Sequence, residues 1–173
     1  MTTHDSPTDE LAAQWHRLLH QAAANKSKLF VLAFHLIFPP GLAVPPEGQP
    51  VPEFLDALSE RLREKRLDPV CMCIEQQADG AGPIRHVVIV TLDGQRTQSA
   101  TGHLAMADTI WSRLLGMPPT GELVLPCLCE DGSAGRQIRR DHPDWDGQIE
   151  RCFRWGSSLI ETHTTNQTPG VSL

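Results

Sequence analysis

Apolar positions recur at helical spacing at the start of the chain. Leu11, Trp15, Leu18 and Ala22 fall three to four residues apart, after Ser6-Pro7 and the acidic pair Asp9 and Glu10. That combination predicts an amphipathic helix over about residues 8–25. Lys26 and Lys28 follow where a helix C-terminus favours positive charge. Next comes a near-continuous apolar run, Leu29–Phe38, rich in strand formers. Six prolines between Pro39 and Pro52 predict a stiff loop. Pro52 then opens a second helix, with Phe54, Leu55, Leu58 and Leu62 as its stripe. Arg61, Arg63, Lys65 and Arg66 make its end basic, and Pro69 stops it.

Val70–Glu75 and Ile84–Leu92 read as strands around the turn Asp79-Gly80-Ala81-Gly82-Pro83, and Asp93-Gly94 ends the second. Leu104, Ala107, Trp111 and Leu114 mark a third helix, closed by Gly116 and Pro118-Pro119. Glu122–Cys129 is a further strand. A polar stretch with Gly132, Gly135, Arg136, Arg139 and Arg140 follows. Pro143 opens a last helix carrying Trp145, Ile149, Cys152, Phe153 and Ile160. Residues after His163 read as a flexible tail.

After the first helix the order is β-α-β-β-α-β-α. This is the split β-α-β pattern. The expected fold is α+β: a ferredoxin-like antiparallel sheet of about four strands with packed helices, plus an N-terminal helix. Two helices lie on one face. The other face is open or covered by the last helix. The first and third strands, bearing His35 and His86, are expected at the centre. The division is a lead-in over residues 1–27, a core over 28–163 and a tail over 164–173.

Composition narrows the chemistry. A length of 173 residues fits one domain. The chain has four Trp, five Phe and eight His but no Tyr, so any mechanism that needs a tyrosine is excluded. Its net charge of -6 argues against a broad nucleic-acid-coating surface, though a local basic strip is compatible with it. The apolar run at Leu29–Phe38 is far below the roughly 18 residues of a membrane span. The polar N-terminus shows no secretory signal, and five cysteines are an odd number. Reduced thiols in a cytoplasm are the expectation, with no membrane partner and no cofactor.

Several segments together resemble a known family. Ile74-Glu75-Gln76, the glycine-rich turn and Pro83-Ile84-Arg85-His86-Val87-Val88-Ile89-Val90 resemble the metal-binding strand pair of the inovirus-type replication initiators (the YagK/YfjJ-like domain) of the HUH rolling-circle endonucleases. The resemblance continues at Ile110-Trp111-Ser112-Arg113-Leu114-Leu115-Gly116, at Asp141-His142-Pro143-Asp144-Trp145 and at Glu150-Arg151-Cys152-Phe153-Arg154. It covers roughly residues 28–162, and the order and spacing of the segments carry it.

The resemblance implies nicking of single-stranded DNA. Two histidines one residue apart on a strand would hold a divalent cation, and a tyrosine on the final helix would attack the phosphate. This chain departs at both places. The His-x-His pattern falls on Ile84-Arg85-His86, and Trp155-Gly156-Ser157-Ser158 stands where the tyrosine is expected, with Ser157 nearest. Nicking through a phosphotyrosine is therefore excluded.

Other sites have a functional reading and a plainer one. His86, Glu75 and His35 are candidate ligands of a remodelled metal site if they share the open sheet face, with Cys71 and Cys73 at the same parity as Glu75. Otherwise the two histidines are ordinary core residues. Cys71/Cys73 and Cys127/Cys129 suggest a four-cysteine zinc site. However, the expected strand order puts them on opposite edges, so packing side chains are the better reading. Ser157 has no base nearby in sequence, since His163 is nearly two turns on.

Arg85, Arg136, Arg139, Arg140, Arg151 and Arg154 are candidate phosphate contacts, with Trp155 as a base-stacking platform. The plainer reading is a solvated mixed surface, because Asp131, Asp141, Asp144, Asp146 and Glu150 interleave with the later arginines. Trp15 and Trp111 sit on apolar stripes and are expected in the core.

Two classes of function follow. One is a catalytically inactive relative of a replication initiator, binding single-stranded or hairpin DNA as an accessory in a phage, plasmid or defence system. The other is an acidic protein-binding inhibitor or decoy that docks on a host or phage protein. A residual metal-dependent phosphodiesterase is a third.

Overall fold

A computed structural model describes residues 7–43, 50–76 and 85–164. The first helix, α1 (Pro7–Asn25), buries Trp15, Leu19, Ala22 and Ala23 along one stripe. Strand β1 (Lys28–Ile37) follows, then α2 (Pro50–Glu64), β2 (Val70–Gln76), β3 (Arg85–Asp93) and α3 (Thr101–Leu114). The chain continues through β4 (Val124–Pro126), β5 (Gly135–Arg139) and α4 (Trp145–Thr164).

All strand pairings are antiparallel, in the order β2-β3-β1-β4. This is the expected ferredoxin-like α+β arrangement, with β1 and β3 at the centre. The fourth position differs from a single strand over Glu122–Cys129. Two short strands share it: β4 pairs with Phe34–Leu36 and β5 pairs with Lys28–Leu32. The polar stretch therefore contains a strand. Only Ile138 in β5 is buried, so the segment lacks an alternating apolar pattern of its own. Neighbouring β1 supplies its register.

Strand parity sorts the core into two layers. Leu29, Val31 and Ala33 of β1 pack with Val87 and Ile89 of β3, beneath α1 and α4. Phe30, Leu32, Phe34 and Leu36 pack with Val88, Val90 and Leu92, beneath α2 and α3. Both sheet faces are covered, and α1 belongs to the same core as α4 rather than to a separate lead-in.

The two crossover helices end alike. In α2 the Leu67 N–H donates to Leu62 O at 3.0 Å and the Arg66 N–H to Arg63 O at 2.8 Å. In α3 the Met117 N–H donates to Ser112 O at 2.8 Å and the Gly116 N–H to Arg113 O at 3.0 Å. Both are Schellman caps, which require a left-handed residue. Gly116 supplies it at φ 70°, whereas α2 uses Arg66 at φ 59°. The second helix thus stops before Pro69, and it begins at Pro50 rather than Pro52.

The charge at the end of α1 also comes from elsewhere than expected. Lys26 pairs with Asp68. Arg140, just past β5, donates to the carbonyls of Ala23 and Ala24 and lies over the Trp145 ring at 5.9 Å. A distant guanidinium therefore satisfies two orphan carbonyls of the helix.

Candidate functional site

The proposed metal ligands do not meet. In the central pair, His35 stands opposite Val87 and Leu36 opposite His86. Odd positions of β1 thus pair with odd positions of β3. His35 and His86 have opposite parity and lie on opposite faces of the sheet. His35 is on the α1/α4 side, and His86 is on the α2/α3 side with its cross-strand partner Glu75. The expectation that all three share one open face is corrected by this register. Among the described residues, no group of three or more His, Cys, Asp or Glu could hold a metal ion.

His86 itself is a core side chain. It is 7% exposed and meets Phe38 edge-on at 5.9 Å. Its Nδ1 is buried with no hydrogen-bond partner among the described residues. Burial pushes its pKa down, and the nearby Glu75 carboxylate opposes that shift. Ile84, the other half of the family pattern, lies outside the described residues.

The nucleophile position is separated from His86 by the sheet. Ser157 is on α4, which packs on the face away from His86. Its hydroxyl is buried without a partner among the described residues. The side chain of His163 lies outside the described residues. His86 and Ser157 therefore do not converge on one pocket.

The cysteines are packing residues, as the plainer reading holds. Cys71 and Cys73 pack on the α2/α3 layer from edge strand β2. Cys127 and Cys129 are buried in the α1/α4 layer beside the opposite edge. Burial raises the Cys73, Cys127 and Cys152 thiols to about 12. Such thiols are protonated and poor as nucleophiles or ligands.

Four of the six candidate arginines, Arg139, Arg140, Arg151 and Arg154, are engaged within the chain. Arg139 makes a paired contact with Asp141 at 2.9 and 3.2 Å, and Arg151 meets Asp144 at 2.7 Å. Arg154 approaches Glu150 at 3.8 Å, and Arg140 caps α1. The guanidinium beside Asp141, and that beside Asp144, hold both carboxyls below the usual range. Arg136 is half-buried, with Nε enclosed and unpartnered among the described residues. Arg85 pairs with Ile37 at one end of β1 and Arg139 with Lys28 at the other, a separation of about 30 Å at 3.3 Å per residue. These arginines do not form one strip.

Trp155 is also corrected. It is 6% exposed, and its indole N–H donates to Leu128 O at 3.2 Å. A ring fixed in the core has no face for a base.

What sequence reasoning missed is at the β4 edge. Leu125 is 40% exposed and Leu128 57%, both within the segment read as a strand. Glu122, Glu130 and Asp131 around them in sequence are exposed. No Lys or Arg occurs between Arg113 and Arg136. The available signal was this cation-free run.

The backbone there is held firmly. The Cys127 N–H donates to Ala33 O at 2.8 Å, and the Cys129 N–H donates to Ser133 O at 2.8 Å. Ser133 donates its N–H and hydroxyl to Asp131 Oδ1 at 3.0 and 2.6 Å. These bonds hold the Asp131 carboxyl below its ordinary pKa and keep it charged.

Comparison with protein-family models, with curated proteins and with solved structures finds no match.

Proposed function

We propose that the chain is a protein-docking module that acts by binding rather than by catalysis. The supporting observation is the β4 edge: Leu125 and Leu128 are exposed on a hydrogen-bonded backbone, with acidic neighbours in sequence and no Lys or Arg between Arg113 and Arg136. Exposed leucines on a rigid edge supply apolar anchors at low ordering cost. The flanking carboxylates select a basic partner and speed its approach. Occupying a basic groove on another protein, as an inhibitor or decoy, suits this surface and the net charge of -6.

The alternative is an inactive initiator relative that binds DNA. It rests on the family resemblance, and the locally paired arginines and buried Trp155 weigh against it.

One experiment separates the two. Native and Leu128→Glu proteins are used as bait for partners from a cell extract. Both are also titrated with labelled single-stranded and hairpin DNA at two salt concentrations. The docking reading expects a partner that the native protein retains, that Leu128→Glu loses and that added salt weakens. It expects no salt-steep DNA binding. Tight DNA binding with a steep salt slope, unaffected by Leu128→Glu, would overturn it and favour the DNA reading.

A further inference from the structure

The exposed face of α1 carries a feature that neither the resemblance nor the docking edge uses. His16 and His20 stand one helical turn apart, both exposed, with ring centroids 4.2 Å from each other. Residues at this spacing lie on the same ridge of a helix. Ala12 and Ala24 are the preceding and following residues of that ridge, and their short side chains leave room around the rings. His16 also meets Phe153 of α4 edge-on, at 5.2 Å and 88°. This contact fixes the ring against the neighbouring helix and restricts its rotamers before any ligand arrives.

We propose that His16 and His20 form a two-imidazole chelate for a first-row divalent transition cation, with Zn2+ as the working example. Two imidazoles at i and i+4 on one helical face are a known donor arrangement for such ions. The donor type gives the selectivity. Neutral ring nitrogens suit Zn2+, Ni2+ and Cu2+, whereas Mg2+ and Ca2+ demand oxygen ligands. No third protein ligand gathers among the described residues. Water therefore completes the coordination, and the site is open to exchange.

Binding also ties one turn of α1. That helix is anchored to α4 at the same level, where the Trp15 indole N–H donates to Phe153 O at 3.2 Å. A cation on the pair thus raises the stability of the α1/α4 layer by mass action.

The test is calorimetric titration of Zn2+ into the full chain, with melting curves alongside and circular dichroism to verify folding. The expected result is one equivalent bound and a raised melting temperature. Binding is at least about tenfold weaker in His16→Gln and in His20→Gln, a loss of about 1.4 kcal/mol or more. His142→Gln binds as the native protein does, and Mg2+ gives no binding heat. Zn2+ binding unchanged in both single variants would overturn the proposal, as would no heat and no melting shift in the native protein. A thiolate charge-transfer band with Co2+ would place the metal on cysteine and overturn it too.

Discussion

Trp15 of α1 lies directly against Gly156 of α4. A Cβ placed on Gly156 would stand 2.2 Å from Trp15 Nε1 and 2.4 Å from Cε2. The indole cannot retreat easily, since it is fully buried and bonded to Phe153 O. The glycine therefore sets how closely the two helices approach. Gly156→Ala improves helix propensity by about 1 kcal/mol but overpacks the interface at a cost of about 1–3 kcal/mol or more. A net loss of stability in urea denaturation is expected, partly recovered when Trp15→Phe is added. An alanine variant as stable as the native protein would show that the helices shift freely.

The family resemblance points to the tetrapeptide at Trp155-Gly156-Ser157-Ser158 for a missing nucleophile. The packing gives two of its residues another cause: Gly156 admits Trp15, and Trp155 ties α4 to the backbone of Leu128. The element order and the central strands were legible because long apolar runs and helical stripes are local signals. The relation of His35 to His86 was not. Each residue's face within its own strand follows from parity, but whether two strands' parities agree depends on register, which is non-local. β5 was hidden for a related reason, since its partner rather than its own composition makes it a strand. Exposure of Leu128 was hidden because hydrophobicity predicts burial only on average.

Arg66 occupies a left-handed position that Gly116 fills in the matching cap of α3. A non-glycine residue there pays a steric penalty that glycine avoids. Arg66→Gly is expected to stabilise the protein by about 0.5–1 kcal/mol, less than the full penalty because glycine also loosens the unfolded chain. The denaturation midpoint should rise with an unchanged slope. A lowered midpoint would mean that the arginine side chain contributes more than its backbone costs.

The thiols offer a probe of the two layers. Cys127, Cys129 and Cys152 are buried, and Cys71 and Cys73 are half-buried. With Cys73, Cys127 and Cys152 raised to about 12, little thiolate exists near neutral pH. Labelling with a thiol-disulfide reagent is expected to be slow in the native protein and fast in denaturant. Mass spectrometry of peptides from partly labelled protein should find Cys71 or Cys73 modified ahead of Cys152. Rapid native labelling at Cys152 would contradict the packing of α4 on the sheet.

His86 makes stability depend on pH in a stated direction. Its pKa in the folded protein lies below the ordinary 6.5, chiefly through burial, with Glu75 opposing. The unfolded chain therefore takes up a proton at a pH where the native protein does not. Stability rises with pH wherever the unfolded state holds more protons. Above about pH 7.5 both states are neutral at this site and it contributes nothing. As the pH falls through 6.5 the native state loses stability, until the folded group also titrates. His103 acts in the same sense, through burial first and Lys65 second, so one substitution cannot remove the whole effect. His86→Gln, which cannot titrate, should flatten the fall in unfolding free energy between about pH 7 and 5 without abolishing it. His86→Gln/His103→Gln should flatten it further. An unchanged slope in both variants would mean that His86 gains its proton without unfolding, and that its enclosure between Phe38 and the β2 edge is looser than the structure shows.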